Sequence, residues 1–184
     1  MGVPVEPKPV KYFVAFLLAD LTRRYDVETA LCDMLDIIDY QGATSTWRAS
    51  KFYQPEMGSD LWRGYWSLES LRGADELAAT KLQTQAIEDK FRDPVTGRRG
   101  VNLDPGYLDN LKVVLASTKN ANQRVYLHSG IYAEATLFYH HGDFHGQSYT
   151  YPDYLKPEAI EFFKKTRAIY VAQLRRFAVS SSTH

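Results

Sequence analysis

Asn102 and Asp104 lie two residues apart in the stretch VNLDPGYLDN, residues 101–110. On an extended strand this spacing puts both side chains on one face, and Arg98 joins them. A carboxylate beside a carboxamide and a guanidinium is able to orient a polar ligand and to move a proton. Asp104 also has a plainer reading. Asp followed by Pro is the pattern of a helix N-cap with proline in the first turn, and Leu108, Leu111 and Leu115 recur behind it at steps of three and four. This predicts a strand over 98–104 that hands over to a short helix over 107–117. A capping carboxylate would fill the place at a helix start that otherwise attracts phosphate. Capping does not account for Asn102.

A second group lies in NQRVYLHSGIYAEATLFYHHG, residues 122–142, which reads as a hairpin. A two-residue turn at Ser129-Gly130 would set Val125 opposite Glu134. A three-residue loop with Gly130 in the left-handed conformation sets Arg124 opposite Glu134 and Tyr126 opposite Tyr132. It also gathers Val125, Leu127, Ile131, Ala133, Ala135 and Leu137 on the other face. A half-buried hairpin needs one clean apolar face, so the three-residue loop is the expectation. The polar face of Arg124, Tyr126, Tyr132, Glu134 and Thr136 is then one of two things. Either it is solvated, with an ion pair of little worth, or it is a Tyr-lined pocket. In the pocket Glu134 would act as acid or base, with Arg124 and Lys119 as anion contacts. HHGDFH, residues 140–145, holds His140, His141 and His145 with a carboxylate, the donor types that bind zinc and similar ions. No ligand spacing supports a metal site there, and a polar loop is expected. TYPDYLKPE, residues 150–158, reads as a rigid loop in which Tyr151 and Tyr154 either cover a cleft or pack.

These groups need elements to hold them. Val10 to Ala19 is an apolar, β-rich run suited to a central strand. Asp26 resembles an N-cap, followed by Val27, Leu31, Leu35 and Ile38 on one helical face, with Gly42 ending the unit. Residues 43–53 and 61–70 read as a hairpin across a turn containing Pro55 and Gly58. Residues 74–91 read as a helix with Ala78, Leu82 and Ala86 as its stripe. A last helix starts at Pro157, and Ile160, Phe163, Tyr170, Leu174 and Phe177 trace one face. The order β-α-β-β-α-β is ferredoxin-like, with two helices on one face of an antiparallel sheet. The fold class expected is α+β: that sheet extended by a β-hairpin and a long C-terminal helix. Residues 1–10 are expected to form an extended arm, 11–178 a single domain, and 179–184 a disordered tail.

The chain has 184 residues, 22 Lys+Arg against 22 Asp+Glu, and 45% apolar residues. That balance is ordinary for a globular protein and disfavours a general nucleic-acid binder, which usually carries a basic excess. Cys32 is the one cysteine, so an intrachain disulfide is excluded, and it is expected to be buried and inert. No apolar run approaches the ~20 residues of a membrane span, and the start lacks a signal-peptide pattern, so a cytoplasmic location is expected. The phosphate loop GxxxxGK[ST], the dinucleotide fingerprint GxGxxG, the GxSxG elbow and HExxH do not occur.

Five long motifs carry a resemblance: KYFVAFL, FYQPEMGSDLWRGYWSLESL, GRRGVNLDPGYL, LASTKNANQRVYLHSGIYAEATLFY and TYPDY. Together they resemble a family of bacterial proteins known as domain-of-unknown-function family 4416, in the family's order and over most of the chain. The resemblance supplies no activity. Some relatives carry a GTP-binding label, but this sequence has neither a phosphate loop nor an NKxD motif. The resemblance adds Glu56, Arg63, Tyr107 and Asp153 to the ligand-binding candidates Asn102, Lys119, Arg124 and Tyr126, with Glu134 and Asp104 as the catalytic candidates.

Two functions are compatible with these residues. One is a binder of, or an enzyme acting on, a phosphorylated or nucleotide-like small molecule, with its site between 102–107 and the polar hairpin face. The other is a binding or self-assembly module, a homo-oligomer included, using a Tyr/Trp-rich surface around Trp47, Trp62 and Trp66. The sequence specifies no cofactor.

Overall fold

The computed structural model describes residues 2–48 and 54–181, with the side chains of 177–181 outside the description. The run VKYFVAFLL forms β1 (Val10–Leu18), and every one of its residues is buried. Tyr12, Val14, Phe16 and Leu18 pack towards α1 (Arg24–Met34) and α3 (Leu77–Lys90). Phe13 and Ala15 pack on the opposite side, with Phe162, Phe163 and Tyr170 of α4 (Pro157–Ser181). A strand covered on both faces has no polar side to show, which is why it reads as an apolar run, interrupted only by Lys11, whose buried amine pairs with Asp39.

β1 lies between β4 (Asp60–Arg72) and β5 (Val101–Leu108), antiparallel to both. The other strands are β2 (Ile38–Gln41), β3 (Ser45–Arg48), β6 (Lys112–Ser117), β7 (Val125–Tyr126), β8 (Tyr132–His140) and β9 (Asp143–Gly146), and a one-turn helix, α2 (Gln54–Met57), precedes β4. The sheet runs β2-β4-β1-β5-β6-β8-β7, with β3 beside β4 and β9 beside β8. The chain is therefore α+β, with an antiparallel sheet and a long C-terminal helix. Among the described residues the sheet has nine strands, more than the four of a ferredoxin-like unit, and helices cover both faces instead of one.

Several expectations are corrected. The helix expected over 107–117 is instead the last two residues of β5 and all of β6, joined at a turn in which Asp109 accepts from the Leu111 and Lys112 N–H groups at 2.7 and 2.9 Å. Asp104 consequently caps nothing. Helix α1 begins before Asp26. A 3-10 turn (Leu21–Arg23) leads into it, and Asp20 caps that turn by accepting from Thr22 N. Ile38 has left the helix and opens β2. In α3 the buried residues are Leu77, Ala78, Thr80, Lys81, Thr84, Ile87 and Glu88, whereas Leu82 and Ala86 face solvent. Cys32 is exposed. Trp66 is fully buried and stacks on Phe16, with ring centroids 4.1 Å apart. Trp47 packs with Leu17, Met57 and Leu61 on the other face from Trp62 and Trp66, so the three do not form one surface. The second half of the 43–53 strand, residues 49–53, lies outside the described residues, as does the Phe177 side chain.

The hairpin has the expected register. Tyr126 pairs with Tyr132, Leu127 and Ile131 close the loop, and Gly130 has φ +78°. A bulge at Thr136 modifies its faces: Val114 pairs with Ala135 but Val113 with Leu137. Ala133 and Ala135 therefore pack on the α1/α3 side and Leu137 on the α4 side. Val125 is exposed instead of joining the apolar face. HHGDFH is also ordered differently from a loop. His140 pairs with Asp143 across a two-residue turn in which His141 and Gly142 both have positive φ.

Candidate functional site

The site begins where the sheet forks. β5 and β6 pair only from Gly106↔Leu115 to Leu108↔Val113. The next β5 residue whose backbone faces β6 is Pro105, which has no N–H to donate, so the ladder ends there. Gly106 lets the last paired rung close: a Cβ at this position would lie 2.5 Å from Val114 O and 2.6 Å from Phe13 Cζ. Beyond the fork, the edge of β5 would expose Leu103 N–H and C=O to the interior. Two side chains of α3 take them. Glu88 Oε1 accepts from Leu103 N at 2.7 Å, and Lys81 Nζ donates to Leu103 O at 2.8 Å. α3 thereby plugs the gap with the charged ends of an otherwise buried helix face.

A cavity of about 190 Å³ opens over the fork on the α4 side of the sheet. Leu17, Arg63, Asn102, Asp104, Leu115 and Glu134 form its sheet wall. Lys81, Gln85 and Glu88 reach it through the gap. Ser117 at the end of β6, with Thr118 and Lys119 after it, forms one rim. A 3-10 turn (Pro152–Leu155) and Tyr151 before it supply Asp153, Tyr154 and Tyr151 opposite. The convergence follows from strand alternation: Asn102 and Asp104 face one way, and Val101 and Leu103 enter the α1/α3-side core.

The charged groups form two networks. In the first, Asn102 Nδ2 donates to Asp104 Oδ2 at 2.8 Å and Lys81 Nζ lies 3.3 Å from Asp104 Oδ1. Lys81 also lies 3.9 Å from Glu88, and Arg99 Nη1 lies 3.5 Å from Glu88 and 3.4 Å from Asn102 Oδ1, closing a ring. Burial disfavours charge on both carboxylates. At Glu88 it prevails over Lys81 and Arg99, and the carboxyl titrates above its ordinary range. At Asp104 the Lys81 and Arg63 charges, with the Lys81 and Asn102 hydrogen bonds, outweigh burial and hold the carboxyl below the ordinary range. Both oxygens of Asp104 are occupied by donors, so it is held ionised and fixed in place.

The second network is built on Arg124 and Glu134. Glu134 Oε2 accepts from Arg124 Nε at 2.8 Å and from Gln123 Nε2 at 2.9 Å. Arg124 also donates through Nη1 to Lys119 O and through Nη2 to Tyr151 OH. These side chains are almost wholly buried, 6% and 1% exposed, so this is not the solvated ion pair that was one of the two readings of the hairpin. Glu134 Oε1 is buried without a hydrogen-bond partner among the described residues. Across the cavity, Arg63 pairs with Asp153 at 2.7 Å, and Tyr65 OH donates to Asp153 O at 3.2 Å. Burial works against the Arg63 charge, but Tyr65, Tyr154, Asp153 and Asp104 raise its pKa further. Burial also pushes the Tyr154 hydroxyl well above its usual range, so it stays protonated.

Seven sequence candidates thus line one cavity: Arg63, Asn102, Asp104, Lys119, Arg124, Glu134 and Asp153. Three do not. Glu56 lies outside and pairs with the cavity residue Arg99. Tyr107 lines a separate hollow at the other end of β5, because its odd position turns it to the α1/α3 side. Tyr126 is 57% exposed and packs edge-on against Tyr132. Tyr151 and Tyr154, expected either to cover a cleft or to pack, line the cavity. Lys81, Gln85, Glu88 and Arg99 were not among the candidates. A signal for two of them was present: Leu77, Lys81, Thr84 and Glu88 follow at steps of four, three and four, so the charges share a helical face with the apolar residue. His140 stacks on His145 with centroids 3.9 Å apart, away from the cavity. Among the described residues no three His, Cys, Asp or Glu side chains are grouped to hold a metal ion, and no helix is long and apolar enough to cross a membrane.

The model of the family described as Domain of unknown function (DUF4416) matches residues 8–170, and the chain belongs to that family. No curated protein and no solved structure matches it.

Proposed function

We propose that the cavity at the sheet fork binds a small phosphorylated molecule and that Glu134 acts on it as general acid or base. The observation that carries this reading is the asymmetry of Glu134. One buried oxygen takes two donors and the other takes none, in a cavity also lined by Arg63, Lys81, Arg99, Lys119 and Arg124. A buried acceptor without a donor costs about 1–3 kcal/mol, and a ligand O–H or N–H placed against it removes that cost. Asp104 is less suited to proton transfer, since Lys81 and Asn102 hold both its oxygens; its role is to position Asn102 and Lys81. The volume of about 190 Å³ lies below the ~300–1,000 Å³ usual for drug-sized ligands, which favours a compound smaller than a whole nucleotide. Self-assembly through the tryptophans has less support, because Trp66 is fully buried.

The test is a thermal-shift panel of sugar phosphates, short phosphorylated acids and nucleoside monophosphates. A ligand at a hundred times its Kd stabilises the native state by about 2.7 kcal/mol, or roughly 5–10 °C for a chain of this size. Incubation of any hit with the native chain and with Glu134→Gln, followed by phosphorus NMR, should show conversion only with the native chain. If no phosphorylated compound shifts the melt, the proposal fails. If Glu134→Gln converts the hit at the native rate, its catalytic part fails.

A further inference from the structure

We infer that Arg63 and Tyr154 form the oxyanion subsite of this cavity, and that Arg124, whose donors are already committed, does not. The inference rests on the cavity being a ligand site, and it says where the ligand's negative group goes. The donors can be accounted for one by one. Arg124 uses Nε on Glu134, Nη1 on Lys119 O and Nη2 on Tyr151 OH. Arg99 is spread over Glu56, Glu88 and Asn102. Lys81 serves Leu103 O and Asp104. Arg63 differs: its Nη2 meets Asp153, but its Nε is buried with no hydrogen-bond partner among the described residues, and the same is true of the Tyr154 hydroxyl.

These two donors are preorganised. Arg63 and Tyr154 are 5% and 2% exposed. The Arg63 guanidinium sits over two rings, 5.0 Å from the Tyr65 centroid and 5.1 Å from the Tyr154 centroid, so its plane is held before any ligand arrives. Asp153 and Tyr154 are neighbours on the same 3-10 turn, so one short segment carries both the residue that anchors Arg63 and the second donor. A charged N–H and a neutral O–H, both desolvated, match two oxygens of one phosphoryl or carboxylate group. Glu134 Oε1 then meets a hydroxyl or ammonium elsewhere on the ligand, which makes the ligand class a compact oxyanion with a hydrogen-bond donor.

The test is isothermal titration of the full chain with inorganic phosphate, sulfate and acetate in one buffer, using the native chain, Tyr154→Phe, Arg63→Lys and Lys119→Met, with each melting curve as the control for folding. Tyr154→Phe removes only an oxygen without a partner, so it should fold as well as the native chain and weaken oxyanion binding by about tenfold. Arg63→Lys should weaken it similarly, and Lys119→Met by less than about threefold. If Tyr154→Phe binds like the native chain, if the loss follows Lys119→Met instead, or if the native chain binds none of the three probes, the subsite is refuted. A phosphorylated hit whose affinity ignores Tyr154→Phe would leave the proposed function standing without this subsite. Tyr154-dependent binding of acetate alone would do the reverse.

Discussion

Tyr154→Phe should make this protein more stable. The ring of Tyr154 is well packed, edge-on to Tyr65 at 5.7 Å and stacked on Phe163 at 6.0 Å, and phenylalanine preserves both contacts and the Arg63 cation above the ring. What changes is one hydroxyl with no hydrogen-bond partner among the described residues. An unsatisfied buried hydroxyl costs about 1–3 kcal/mol. At the lower end of that range, a gain of about 1 kcal/mol corresponds to a rise in Tm of roughly 2–4 °C for a chain of this length. No cavity opens to offset the gain, because no carbon is removed. The assay is calorimetry or circular dichroism at neutral pH, where the Tyr154 hydroxyl, raised by burial, is protonated in the native state. A fall in Tm of the same size would mean that the hydroxyl makes a stabilising hydrogen bond, which would refute the account of Tyr154 as an unpaired donor.

Other perturbations probe the fork. Lys81→Met should cost about 3–5 kcal/mol, measured by urea unfolding, because it leaves the Leu103 carbonyl unpaired and takes a cation from Asp104 and from the buried Glu88; adding Glu88→Gln should restore part of the loss. Gly106→Ala should cost about 3 kcal/mol in the same assay, since its Cβ would meet the Val114 carbonyl oxygen at 2.5 Å. The two carboxylates should leave opposite marks on pH dependence. Asp104 has a native pKa below its unfolded value of about 3.9, so it contributes stability above that value and loses it as pH falls; Asp104→Asn should flatten the acid limb of a Tm–pH curve. Glu88 has a native pKa above its unfolded value of about 4.3, so its favourable contribution is complete below that pH and is lost as pH rises through the native value. The Tm difference between Glu88→Gln and the native chain should therefore move in favour of the variant from pH 4 to pH 7.

The motif that carries most of the site was legible in content and misleading in form. Asn102 and Asp104 were grouped on one face by strand spacing, and they share that face. Asp-Pro-Gly reads as the start of a helix because Asp followed by Pro suits an N-cap and the leucines behind it fall at helical steps. Leu108 and Leu115 are buried, however, from neighbouring strands, with Leu111 exposed at the turn between them. A period of three to four over so few residues cannot distinguish a helix from two short strands and a turn. The hairpin register was legible, because only one loop length gives an apolar face, whereas the Thr136 bulge left no local signal. Lys81 and Glu88 were missed for a different reason. Charged residues on a helix are ordinarily assigned to solvent, and these two are buried because a broken strand edge needs a donor and an acceptor. That need arises from Pro105, more than a dozen residues away, and appears only once α3 is laid against β5.

The same fork explains why the site's charges can sit inside the protein. Burying a lone ion is unfavourable, and an intact β5–β6 ladder would leave Leu103 no reason to attract one. Once Pro105 ends the ladder, the Leu103 N–H and C=O must be paired, and side chains that reach them from a helix are long and most strongly held when charged. Lys81 and Glu88 meet that requirement, and in turn the Lys81 charge stabilises Asp104 and Glu88 recruits Arg99. The first network is therefore structurally closed: each of its charged groups has a partner within it. Glu134, Arg63 and Tyr154 are left open after every local bond is made. In a site where the surrounding charges are this fully matched, the three open atoms set the chemistry a ligand must bring: oxygens to accept from Arg63 and Tyr154, and a hydrogen to give to Glu134.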